Sequence, residues 1–341
     1  MAIDRYVCAA AALNGTPDTF RVMAIDPGEK IEWQFDSSIE VRPDWLNYIL
    51  GSIREWYVPG QSMGGVDLAF SGDIPAGAGL SSSAALEAST AIVLARLWSL
   101  QIKGKGLALH CQKVEQKYVG VQCGIMDQYA SILGSMGMAI FLDCQSREHE
   151  YVPVHLEPYT FLLCNTGVSH SLASSQYNKR RESCELGLSH IKSKYPKIES
   201  WREVSLEMLD ASAHLMDEET SKRCAHVVRE ISRVKAAVSA LQLNDFIRLG
   251  KLMYQSHSDL SVNYEVSCPE LDFLVGLTQS EDAILGSRMM GGGFGGCTIN
   301  LIHADKTNAF LERASRAYQL AFGVDLQSYE VRSGTGAMLI E

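Results

Sequence analysis

The stretch richest in chemistry is Gly72-Asp73-Ile74-Pro75-Ala76-Gly77-Ala78-Gly79-Leu80-Ser81-Ser82-Ser83-Ala84-Ala85. Glycines let the backbone approach a ligand closely and take positive φ, so successive N–H groups can converge on phosphate oxygens at the positive end of a following helix. The serine hydroxyls add donors and a candidate Mg²⁺ ligand. A flexible turn capped by serine is the plain alternative, but it leaves the run of serines and the spaced glycines without a purpose. No Gly-x-x-x-x-Gly-Lys-Ser/Thr occurs anywhere, so this is not the usual P-loop.

A second glycine-rich segment, Gly291-Gly292-Gly293-Phe294-Gly295-Gly296, formally matches G-x-G-x-x-G at Gly291, Gly293 and Gly296. Its context rejects dinucleotide binding, because a strand-like Cys297-Thr298-Ile299-Asn300-Leu301 follows where that fingerprint opens a helix. The expected role is a loop packed close to the first glycine-rich segment, closing a nucleotide site. The third feature is Asp127 in Gly124-Ile125-Met126-Asp127-Gln128-Tyr129-Ala130. It reads either as a helix cap or first-turn residue, or as a base or charge partner for a reacting hydroxyl. Glu115 lies one helical turn after Cys111 and so can point inward, although a helical Glu is ordinarily solvated.

Several elements must position these groups. The chain opens as a β-meander, Arg5 to Leu13, Phe20 to Ile25 and Ile31 to Phe35, broken at Gly15-Thr16-Pro17 and Pro27-Gly28. Helical spacing follows from Trp45 to Trp56, then a strand at Val66 to Phe70 and a long buried helix from Ser82 to Leu100. Leu107, Cys111, Val114 and Tyr118 mark another helix. Beyond a change of character near Pro158 come a strand at Thr160 to Cys164, charged helices from Tyr177 through Leu241, a strand at Cys297 to His303, a helix from Lys306 to Phe322 and a last strand.

Composition narrows the class. With 46% hydrophobic and 21% charged residues over 341 positions, an ordinary globular chain of two domains is expected. The 30 Lys+Arg against 40 Asp+Glu give a net charge of −10, which repels nucleic acid and anionic lipid, so an anionic ligand must be held locally. The nine cysteines form no C-x-x-C, and most of them, in apolar surroundings, read as buried free thiols of a reducing compartment. No apolar run is long enough to span a membrane and no leader is evident, so a cytoplasmic protein is expected.

Pro75 to Ala85, Glu115, Cys123-Gly124-Ile125-Met126-Asp127-Gln128, Ser169-His170-Ser171-Leu172-Ala173-Ser174-Ser175-Gln176-Tyr177-Asn178-Lys179-Arg180-Arg181 and Gly291 to Cys297 occur in one order over nearly the whole chain. Together they closely resemble the galactokinases of the GHMP sugar-kinase family. The Gly-Ile-Met-Asp-Gln and Ser-Leu-Ala-Ser-Ser runs favour galactokinases over mevalonate or homoserine kinases. The resemblance implies a two-domain α+β fold: residues 1–158 form an N-terminal mixed sheet with helices, and residues 159–341 a ferredoxin-like C-terminal domain, with ATP and sugar at their interface. It also implies transfer of the γ-phosphate of MgATP to the anomeric hydroxyl of galactose. Gly77, Gly79, Ser81, Ser82 and Ser83 would hold the triphosphate, with Gly292 and Gly293 closing the site. Ser82 and Glu115 would bind Mg²⁺. Asp127 would sit against the sugar O1, Gly124 and Tyr177 would help hold the sugar, and Trp45 would border the adenine.

Two positions depart from the family pattern. Met290 stands where many relatives have Thr, which reads as tolerated loop variation. The family also opens with a strand carrying an Arg and then Gly-Glu-His-Thr-Asp-Tyr, ahead of the part that resembles Met1 to Tyr6; Glu148-His149 cannot replace it. Weak turnover of galactose and an unpaired sheet edge are therefore expected of these 341 residues, from a shortened chain, a misassigned start or a divergent relative. The alternatives are a non-catalytic ATP- and sugar-binding relative, or a kinase for N-acetylgalactosamine or a galacturonic acid. A monomer acting on small molecules is expected in each case.

Overall fold

A computed structural model describes residues 1–35, 45–60, 63–75, 77–168 and 173–340. Ala76 and Ser169 to Leu172 of the matched runs lie outside the described residues, as do the side chains of Ala173 to Ser175. The chain divides into two compact units, one of Met1–Ala76, Ser81–Tyr151 and Ser333–Glu341, the other of Gly77–Leu80 and Val152–Arg332.

The first unit contains β1 (Val7–Leu13), β2 (Thr19–Ala24), β3 (Glu29–Gln34), α1 (Leu46–Trp56), β4 (Val66–Gly72), α2 (Ser82–Leu97), α3 (Lys105–Val114), α4 (Met126–Leu133), β5 (Met138–Leu142) and the start of β6 (His149–Pro153). Its sheet runs β1-β4-β2-β3, with β4 parallel to β2 and the other pairs antiparallel. Alternation decides the faces. In β2 and β4, Phe20, Val22, Val66 and Leu68 turn inward onto Ile49, Ile53, Leu86 and Leu94 of α1 and α2. Arg21 turns outward, where register places it beside both Glu32 and Asp67, at 3.0 and 3.2 Å.

Helix α2 ends at Leu97, short of Leu100, because Ser99 takes φ 55° and closes a C-terminal cap. Its N–H bonds Arg96 O while Leu100 N–H reaches back to Ala95 O at 2.8 Å. Tyr118 likewise falls outside α3. The helix widens at Glu115–Val119 into one π-turn, ended by Gly120 at φ 85°, and such turns recur at functional sites. The turn is held from α1: the buried Glu55 carboxylate binds Lys113, Lys117 at 2.7 Å and Tyr118 at 2.9 Å. Those cations hold Glu55 down at about 2 despite its burial. Gly51 permits the close approach, since a β-carbon there would stand 2.6 Å from Val114.

In the same unit the His110 ring stacks on Trp56 at 3.7 Å, buried, with Nε2 unpartnered among the described residues. Burial lowers its pKa to about 4. The unfolded chain then binds the extra proton between about pH 6.5 and 4, so stability contributed above that window is lost as pH falls through it. The expected slope is about 1.4 kcal/mol per pH unit. Urea midpoints of wild type and His110→Gln from pH 7 to 4.5 check this: the wild-type curve should fall more steeply, and parallel curves would remove the assignment.

The second unit contains β7 (Tyr159–Asn165), α5 (Ala173–Lys194), α6 (Leu206–Ser212), α7 (Glu218–Gln242), α8 (Phe246–Val262), α9 (Pro269–Thr278), β8 (Ile284–Met289), β9 (Cys297–His303), α10 (Thr307–Phe322) and β10 (Gln327–Val331). Its antiparallel sheet has the order β10-β7-β9-β8. Numbered within the unit this is 4-1-3-2, with helices after the first and third strands, the expected ferredoxin-like arrangement. Leu162, Ile284, Ile302, Phe310 and Tyr318 fill the space between sheet and helices.

Three boundaries correct the division at residue 158. Residues 152–158 belong to the second unit, where Leu156 packs against Leu249, Met253 and Leu301. Ser333–Glu341 returns to the first, tied by Gly334 N–H to Ala2 O, Gly336 N–H to Gly134 O and Ala337 N–H to Ser131 O. Gly77–Leu80 joins the second, as described below. All nine cysteines are free and most are buried, as expected; Cys8 and Cys144 are exposed and Cys123 is half-buried. No helix among the described residues is long and apolar enough to cross a membrane.

Candidate active site

The serine-rich segment folds as a turn entering α2. Ser81 occupies the N-cap position in the left-handed region, φ 57° and ψ 43°, and its side chain makes no capping bond. The serine-cap alternative is therefore not realised, and the first-turn N–H groups of α2 have no side-chain cap. Ser82 and Ser83 are the first two helical residues.

Ser83 and Glu87 are four residues apart on α2 and so share a face. That face meets the π-turn. Ser83 lies near enough to Glu115 and to Tyr48 of α1 to favour the ionised form of each. Glu115, 9% exposed, accepts from the Gln128 amide at 2.6 Å, and the same nitrogen lies 3.4 Å from Glu87, which is fully enclosed. Burial raises the Glu115 carboxyl, and the nearby Asp127 charge adds to the effect. Glu87 is pushed well above the usual range by burial, then by Glu115. Burial also raises Tyr48 and Cys123, with Glu115 adding to both. Among the described residues no Lys, Arg or His pairs with Glu87 or Glu115.

Asp127 is the second residue of α4 and exposed, whereas Ile125 holds the N-cap position. Gly124 is exposed just before it. Trp45 begins α1, its ring indole N–H donating to Glu29 at 2.8 Å and its face tilted on Phe70 at 5.2 Å.

In the second unit the two glycine-rich segments lie backbone to backbone, as their sequences suggest. A β-carbon on Gly291 would stand 3.2 Å from Gly79 O, and one on Gly296 3.1 Å from Ala78 O. Gly79, Gly291 and Gly296 all have positive φ. Gly293 is more constrained: at φ 88°, a β-carbon would stand 2.1 Å from Val266 O. Tyr177 on α5 lies beside Gly292, 3.7 Å from where its β-carbon would be.

Within the first unit the arrangement thus combines an uncapped helix N-terminus rich in serine with a buried carboxyl and a solvent-facing carboxylate, a set suited to handling a phosphorylated ligand. The GHMP kinases N terminal domain matches residues 47–135 and the GHMP kinases C terminal domain residues 237–320. The galactokinase of Thermotoga petrophila is 39% identical over 339 residues, covering 99% of this chain and 93% of its own. The chain belongs to the galactokinases. The galactokinase of Roseiflexus sp. is 37% identical over 98% of this chain and 85% of its own. Among solved structures, Lactococcus lactis galactokinase complexed with galactose matches with a TM-score of 0.91 at 33% identity, over 98% of this chain and 87% of that one. A mevalonate kinase at 18% identity and TM-score 0.65 shares the fold.

For this galactokinase, sequence reasoning passed over Glu87 and assigned no role to Gln128 or Tyr48. The signal for Glu87 was present: it is the only acid in the small and apolar run from Ser82 to Leu97. Ser83, expected on the triphosphate, is the serine that acts on the ionisation of Glu115, whereas the resemblance put Ser82 beside Glu115 on Mg²⁺. The oxygen donors fit Mg²⁺, which takes one or two protein oxygens together with phosphate and water rather than a protein cage. A buried carboxyl without a cationic partner is the other half of that fit.

Proposed function

We propose that this galactokinase-family chain transfers the γ-phosphoryl group of ATP to the anomeric hydroxyl of galactose, giving galactose 1-phosphate. The observation that supports it most is the TM-score of 0.91 over 98% of the chain to a galactokinase complexed with galactose. Phosphoryl transfer rests on positioning and charge neutralisation, and these residues are of that kind. Gly77, Gly79, Ser81, Ser82 and Ser83 would hold the triphosphate, helped by the first-turn N–H groups of α2. Gly292 and Gly293 belong to the same nucleotide set, and Trp45 would border the adenine. Glu115, with a serine hydroxyl from the first turn of α2, would hold Mg²⁺. When bound, that ion neutralises charge on the β- and γ-phosphates. Gly124 and Tyr177 would hold the sugar, and Asp127 would accept the proton of its reacting hydroxyl or steady the charge that develops there.

An ADP-release assay with galactose, N-acetylgalactosamine and galacturonic acid, with the product read by phosphorus NMR, tests this. Galactose should drive ADP release and yield an anomeric phosphate. Turnover confined to another of the three sugars would reassign the substrate, and saturable ATP binding with no turnover on any would mark a non-catalytic relative.

A further inference from the structure

Two buried polar groups beside Glu115 take no part in the reaction as proposed. Glu87 lies in the second turn of α2 and Gln128 in the first turn of α4, both at 0% exposure. The Gln128 amide nitrogen donates to Glu115 Oε2 at 2.6 Å and lies 3.4 Å from Glu87 Oε2. A primary amide nitrogen carries two hydrogens, so one group can serve both carboxyls. The reversed amide would set its oxygen against the Glu115 oxygen, pairing acceptor with acceptor.

The remaining oxygens, Glu87 Oε1 and Gln128 Oε1, are buried with no hydrogen-bond partner among the described residues. Unpaired buried oxygens cost stability, and apolar residues of the same size would fill the space without them. A structural purpose alone therefore accounts poorly for this pair. The connectivity suggests another. Glu87, four residues after Ser83 on α2, reaches Glu115 through Gln128. The Glu115 carboxylate is thus tied to α2 through the Gln128 amide.

We propose that Glu87 and Gln128 are positioning residues for the metal site: Glu87 anchors the Gln128 amide, and the amide fixes the orientation of the Glu115 carboxylate. This rests on the assignment of Glu115 as a metal ligand. Outer groups that orient a metal-ligating side chain are typically worth about 10- to 100-fold in metal affinity.

The test titrates the protein with Mn²⁺ in the presence of an ATP analogue with a non-hydrolysable β,γ bridge, following the free-Mn²⁺ signal by electron paramagnetic resonance. Gln128→Met and Glu87→Met, each close in volume to the original, should weaken Mn²⁺ binding about 10- to 100-fold. Glu87→Gln keeps an acceptor for the amide and should recover most of the affinity lost in Glu87→Met. In turnover, half-saturating Mg²⁺ should rise in step while kcat at saturating Mg²⁺ falls much less. The double variant Glu87→Met/Gln128→Met buries neither unpaired oxygen, so it keeps the test open if a single variant fails to fold, and it should show the same weakening.

Wild-type Mn²⁺ affinity in the folded double variant overturns the proposal. So does a fall in kcat at saturating Mg²⁺ with metal affinity unchanged. Glu115→Ala separates the two assignments. If it too binds Mn²⁺ as wild type does, the metal site itself is misplaced; if it alone loses Mn²⁺, only the positioning role fails.

Discussion

Asp127→Asn is expected to lower kcat about 10²- to 10⁴-fold, the range in which a positioned proton acceptor contributes to a reaction. The substitution is close to isosteric and falls on an exposed side chain in the first turn of α4. Its structural cost should be small, because Asp127 does not hold the N-cap position and loses an interaction with the helix dipole, about 0.3 to 1 kcal/mol, and its attraction to the Met1 amino group. The thermal midpoint should therefore move by a few degrees at most, and affinity for a fluorescent ATP analogue should stay near wild type. Removing the charge should also ease the ionisation of Glu115 and Glu87, both of which Asp127 disfavours. The Asn variant therefore separates chemistry from binding. Retention of most of the turnover would reduce Asp127 to an ordinary first-turn acid.

That Asp127 could be singled out from sequence, while Glu87 was not, shows where sequence reading succeeds and stops. The matched runs are local in the chain, and each carries its glycines, serines or acid within a few residues. Strands β2, β4, β7 and β9 were likewise visible, because alternation or an apolar run marks them directly. The elements passed over are of another kind. Helices α8 and α9 and strand β8 were not predicted, and the packing of α8 on β8 depends on Gly250 and Gly286, two glycines distant in sequence whose backbones touch. The π-turn was invisible for a similar reason: it exists because Lys117 and Tyr118 are drawn to Glu55, some sixty residues earlier. Glu87 gains a reading only when α2, the π-turn and α4 are brought together. Local patterns give residue type and face; which buried polar groups share a partner is decided by tertiary packing.

Glu115→Ala is expected to produce the other large loss, at least about 10²-fold in kcat/KM, because it removes the protein carboxylate assigned to the ion that neutralises the transferring phosphoryl group. The informative comparison is with the two serines. Residues adjacent on an α-helix project about 100° apart, so Ser82 and Ser83 cannot both face Glu115 in the same way. Ser83 is the one that lies near Glu115 and shares a helix face with Glu87. Ser83→Ala should accordingly raise the Mg²⁺ concentration for half-maximal turnover more than Ser82→Ala does, and Ser82→Ala should act mainly on affinity for ATP at saturating Mg²⁺. Mg²⁺ titrations of the three variants at fixed ATP and galactose decide the order. A larger Mg²⁺ shift in Ser82→Ala would return the ligand to the serine named by family resemblance, and would leave Ser83 as no more than a neighbour of Glu115.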